Sequence, residues 1–77
     1  MKIKGGLNYV IFDLENGYSI KAEGEMLTGR KFIAYKNTMR LWEEPHNKER
    51  VSDEQIESII NEVNEMTNEN TVHIIFE

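Results

Sequence analysis

Apolar and polar residues alternate with a period of two over residues 18–23, and apolar residues recur at spacings of three and four over residues 56–66. Residues 7–15 are rich in β-branched and aromatic side chains, and Asn16-Gly17 supplies the two positive-φ positions that a type I′ hairpin turn requires. In the returning segment Tyr18, Ile20 and Ala22 alternate with Ser19, Lys21 and Glu23, which predicts a strand with one buried face. Gly24 and Gly29 bracket a short piece, residues 25–28, and read as turn residues at strand ends. Residues 31–36 follow as a further strand holding Phe32, Ile33, Ala34 and Tyr35. A meander is the simplest path through these segments.

Residues 37–50 break the alternation. Met39, Leu41 and Trp42 suggest a strand or short turn packed on the core, whereas residues 43–50, with Pro45, read as a loop and as the place where function would sit. Ser52 and Gln55 have the spacing of a capping box, in which the hydroxyl accepts from the N3 amide and the Gln side chain reaches back. The helix that starts there, to about Asn68, carries Ile56, Ile59, Ile60, Val63 and Met66 on one stripe that can lie on a sheet. Truncating Ile60 to Ala is expected to cost about 2–5 kcal/mol. Asn68 and Asn70 are stop residues, and residues 71–77 form a last strand with Val72, Ile74 and Phe76 on one face. The class is α+β: a small antiparallel sheet of about four to six strands, with one amphipathic helix packed on one face, in the order ββββ(β)αβ.

A chain of 77 residues removes only about 60% of its unfolded surface on folding, so one core and one domain, residues 1–77, is the expectation. With 39% hydrophobic residues there is enough apolar surface to offset chain entropy, which sets it apart from a disordered tail. The absence of cysteine excludes a disulfide framework, a thiolate nucleophile and a Cys-based zinc site, and a reducing cytoplasm fits best. The opening Met1-Lys2-Ile3-Lys4-Gly5-Gly6, followed by a run interrupted by Asn8 and Asp13, reads as neither a signal sequence nor a membrane span.

Charge is divided unevenly. Of the net −5, residues 1–36 contribute +2 and residues 37–77 contribute −7, and no Lys or Arg follows Arg50. Glu54, Glu57, Glu65 and Glu69 project from the helix away from its apolar stripe, with Glu62 beside it. Like-charge neighbours three or four apart each cost about 0.2–0.5 kcal/mol, and the late acids oppose the helix dipole. Such an arrangement suits a surface that attracts a basic partner, and it equally suits plain solubility.

Catalytic chemistry needs convergent groups, and His46 in the loop and His73 in the last strand are too few and too far apart to supply them. Glu43, Glu44 and His46 have no spacing that would fix a metal, and the glycines form no phosphate-binding loop, so neither metal nor cofactor is expected. Trp42 beside Met39 and Leu41 reads first as the centre of a small core and second as an interface anchor. The N-terminal bases, with Tyr9, Tyr18 and Tyr35, offer an alternative function as a small nucleic-acid-binding or accessory regulatory module. The net negative field opposes direct binding of phosphate.

One longer pattern is built from Gly17-Tyr18 ending a hairpin, Gly24-Glu25, the strand from Phe32 to Tyr35 and the run Leu41-Trp42-Glu43-Glu44-Pro45-His46. With an acid-rich capped helix and a short last strand, it resembles the immunity protein 74 family. The resemblance spans nearly the whole chain, although a single Pro45 stands where the family often has two prolines. It implies a cytoplasmic bacterial inhibitor, not an enzyme, that binds and blocks a cognate toxin domain of a contact-dependent growth-inhibition or polymorphic-toxin system. That partner is frequently a nuclease, with a basic surface. The candidate partner-binding residues, read from the loop and the acidic helix face, are Trp42, Glu43, Glu44, His46 and Glu49 of the loop and Glu54, Glu57, Glu65 and Glu69 of the helix. Neither membrane nor direct nucleic-acid contact is expected, and the chain is expected to be a monomer or weak dimer.

Overall fold

The core begins where strand alternation brings apolar positions face to face across a ladder. In the computed structural model, which describes residues 1–66 and 72–77, strand β2 (Tyr9–Asp13) pairs antiparallel with β3 (Ser19–Leu27). This register sets Val10 opposite Ala22 and Phe12 opposite Ile20, all four buried. Strand β4 (Lys31–Ala34) continues the same inner face with Phe32 and Ala34. A further strand, β1 (Lys2–Gly5), borders β2, and its four residues are all exposed. The first strand of the sequence reading, residues 7–15, is β2 preceded by a turn at Gly6, and β1 is an additional edge strand with no buried residue.

Helix α1 (Asp53–Met66) and strand β5 (His73–Phe76) complete the order. The sheet runs β1-β2-β3-β4-β5, a meander to β4, but β5 lies parallel to β4 with Phe32 opposite Ile74. The α+β class and the element order therefore hold, while the sheet is mixed rather than purely antiparallel. A parallel neighbour cannot be reached by a tight turn and needs a crossover, which here is the loop and helix between β4 and β5. Among the described residues no helix is long and apolar enough to cross a membrane.

Several local expectations change. The positive-φ residues of the β2–β3 turn are Glu15 and Gly17, not Asn16 and Gly17. The Leu14 amide donates to the Tyr18 carbonyl at 3.0 Å, leaving three residues between them in place of a two-residue type I′ turn. The Asn16 and Asp13 side chains accept from the Tyr18 and Glu15 amides instead. Gly24 ends no strand: it lies inside β3, where the strand changes partner from β2 to β4. A Cβ at this position would run into the Ile33 carbonyl, so the residue is glycine for close approach rather than for a turn. Gly29, at φ +74°, is a turn residue as expected.

The helix starts as its cap predicts. Ser52 Oγ accepts from the Gln55 amide at 3.1 Å, and Gln55 Oε1 accepts from the Ser52 amide at 2.9 Å. Of the predicted stripe only Ile59 and Val63 are fully buried; Ile56 and Ile60 are half-buried and Met66 is exposed. The stripe narrows to the middle turns, where Ile59 and Val63 join the core. Ile74 is buried and Phe76 packs on the core against Phe12, whereas Val72 is exposed. The stop residues Asn68 and Asn70, and Thr71, lie outside the described residues.

Candidate functional site

The irregular stretch after β4 opens with a short 3₁₀ turn, Lys36–Thr38, and Met39 enters the core. The expected strand at Leu41 and Trp42 is reduced to a single bridge between Leu41 and Arg50. That bridge closes the base of a loop, helped by Val51 donating to the Arg40 carbonyl and Trp42 to the Glu49 carbonyl. Within it, His46 donates to the Glu43 carbonyl and Glu49 to the His46 carbonyl, each at 3.0 Å, giving two consecutive turns. The Glu44–Pro45 peptide is cis. The Glu43 amide donates to the Ser19 carbonyl at 2.8 Å and so ties the loop to the start of β3.

Aromatic rings add a second tie. Trp42 is only 5% exposed and belongs to the core. Above it the Tyr18 ring packs edge-on, with centroids 5.1 Å apart, and His46 stacks on Tyr18 at 3.7 Å with the planes 10° apart. Tyr18 Oη donates to the Glu49 carboxylate, 3.2–3.3 Å from its two oxygens, and His46 Nδ1 lies 2.9 Å from Glu49 Oε2. Burial raises the Tyr18 phenol above its ordinary value, and the charge of Glu49 and its hydrogen bond act in the same direction. From core to solvent the layers are Trp42, Tyr18, then His46 and Glu49.

The structure therefore brings Trp42, Glu43, Glu44, His46 and Glu49 onto one ordered loop, with Trp42 beneath it and Glu44 and Glu49 exposed. Glu54, Glu57 and Glu65 stand apart from this loop, on the outer face of α1. There, with Asp53 and Glu62, they border a shallow furrow. Glu69 lies outside the described residues. Among the described residues the acid–base contacts are Met1–Glu15, Lys2–Glu15 and His46–Glu49, the last ionic only when the imidazole is protonated, so the acids of α1 have no basic partner. Also among these residues, no three His, Asp or Glu side chains gather as a metal site.

Two features escaped the sequence reading. Tyr18 lies 31 residues from Glu49, beyond the reach of any spacing rule. The signal for it was chemical: a tyrosine on the inward positions of a strand needs a partner for its hydroxyl. The other is a groove of about 430 Å³ between β1 and the far end of α1, lined by Ile3, Tyr9, Met26, Val63, Met66 and Val72 among others. On the basic side of the sheet, Lys2 is paired with Glu15 and the Lys21 ammonium sits over the Tyr9 ring at 5.1 Å. Two of the three tyrosines that a nucleic-acid face would use are thus already engaged.

A curled mixed sheet carrying one helix, with its distinctive side chains gathered on an ordered surface loop and a solvated acidic helix face, defines a small α+β protein organised around its surface. The chain belongs to the immunity protein 74 family, which matches residues 2–77. It is accordingly an immunity protein in the general sense, and the family implies a cognate toxin as partner. No curated protein and no solved structure matches the chain.

Proposed function

We propose that this chain neutralises a nuclease toxin domain of a contact-dependent growth-inhibition or polymorphic-toxin system, in the bacterial cytoplasm, by docking its acidic face on the toxin's basic surface. The observation that supports this reading is the outer face of α1, where Asp53, Glu54, Glu57, Glu62 and Glu65 are exposed and none has a basic partner among the described residues. Asp53 and Glu54 in the first turn suit the helix dipole, but beyond them local stability disfavours such a face, because like charges repel at three and four residues and Glu65 near the C-terminus opposes the dipole. A nuclease must present bases to phosphate, so an acidic surface is attracted either to that site or to its margin. The loop of Glu43, Glu44, His46 and Glu49, apart from that face, supplies a second contact with the same partner.

The test is to replace Glu57, Glu65 and Glu69 with Lys and follow binding to the toxin domain recovered with the chain from its native cells. The association rate is expected to fall by about tenfold at low salt. The loss should shrink as salt shortens the Debye length to about 8 Å and below. Thermal stability should stay level or rise slightly, since the substitutions relieve repulsion. Wild-type kinetics at both salt concentrations, with folding confirmed, would remove the helix from the interface.

A further inference from the structure

We infer that Glu49, held between Tyr18 and His46, is a preformed acceptor for one arginine side chain. Its carboxylate offers about four lone-pair sites. Tyr18 Oη has one proton to give and His46 Nδ1 at most one, so about two sites stay open even with both bonds made. The side chain of Glu49 is 55% exposed, and among the described residues its side-chain partners are Tyr18 and His46. The neighbouring Lys48 and Arg50 make no ion pair with it. An exposed carboxylate normally samples several rotamers and must be ordered when a partner binds. Two side-chain donors have already restricted this one.

The rings decide which cation fits. One face of His46 is covered by Tyr18, and 29% of its side chain still meets solvent. A guanidinium is planar and weakly hydrated, so it can lie along a ring while its fork pairs with a carboxylate at the ring's edge. An ammonium is a compact, strongly hydrated point charge that gains little from the stacked surface. The site therefore selects arginine over lysine. Tyr18 acts as the positioning residue, because Trp42 and the core hold its ring and its hydroxyl aims the carboxylate. That the arginine belongs to a toxin rests on the function proposed above; the arginine site itself does not.

The test uses the isolated chain and defined probes: N-acetyl-arginine amide and N-acetyl-lysine amide, each titrated into isotope-labelled protein and followed by NMR. Arginine amide is expected to shift the resonances of Tyr18, His46 and Glu49, with an affinity about two- to fivefold above that of lysine amide. Glu49→Gln should abolish the response. Tyr18→Phe, which keeps the ring and removes the hydroxyl, should weaken it while leaving the dispersed spectrum of the folded chain intact. Equal responses to the two amides, shifts centred on the acids of α1, or an undiminished response in Glu49→Gln would each overturn the assignment. The titration needs no toxin, so its failure is separate from failure of the immunity reading.

Discussion

Replacing Ile59 by Ala tests how the helix is seated. The side chain is 3% exposed and packs in the main core, so losing its three outer carbons forfeits roughly 2.4 kcal/mol at about 0.8 kcal/mol per buried carbon. The cavity left beneath α1 brings the total to about 3–4 kcal/mol. Ile60, next along the helix, is only half-buried, and its truncation opens a notch to solvent rather than a closed void. About 1 kcal/mol is expected there, below the range that sequence periodicity alone suggested. In urea, with a slope of about 1 kcal/mol per molar for a chain this small, the midpoints should fall by about 3 M and 1 M respectively. Total stability for this length is only about 4–12 kcal/mol, so Ile59→Val, at about 0.5–1.5 kcal/mol, keeps the comparison measurable if the Ala variant is unfolded. Equal losses at Ile59 and Ile60, or a larger one at Ile60, would refute the seating of α1 described here.

Gly24→Ala should destabilise by about 3 kcal/mol or slightly more, the upper end of overpacking costs, because the new methyl meets the Ile33 carbonyl within a ladder that cannot part; urea melts alongside Gly17→Ala, where nothing crowds the added carbon and only the positive φ opposes it, give the comparison. The Tyr18 phenol has a folded pKa raised above its ordinary 10.0, so above that pH the folded chain binds more protons than the unfolded one. Stability is then fully present below about pH 10 and falls as pH rises through the folded value, a decline that denaturant melts from pH 8 to 11 should show and Tyr18→Phe should flatten.

What could be read from the sequence was what neighbouring residues decide among themselves. Ser52 and Gln55 announce the helix because capping is a contact within one turn, and Tyr18, Ile20 and Ala22 announce the returning strand because alternation reports one buried face. Gly24 was misread because its reason lies in the Ile33 carbonyl of another strand, and a glycine crowded by a distant backbone looks the same in sequence as one in a turn. Strand β1 was missed because none of its residues is buried. The loop was located, and His46 and Glu49 with it, since proline, charge and broken alternation mark such segments. Its organising residue, Tyr18, belongs to a hairpin formed much earlier in the chain, and only folding brings the two together.

The parallel seat of β5 also governs the order in which this molecule can be assembled. The pairings from β1 to β4 join segments adjacent along the chain and close small loops, whereas setting Ile74 against Phe32 requires the whole intervening stretch to be gathered first. During synthesis β4 therefore waits with one edge bare until β5 has left the ribosome. Lys31 at its start and Lys36 just beyond its end flank that edge with positive charge, the kind of guard that discourages strands of other chains from taking the vacant place. The loop bearing Glu49 is carried inside this crossover, yet its ties run to Ser19 and Tyr18 of the early hairpin, so it can be seated before β5 arrives.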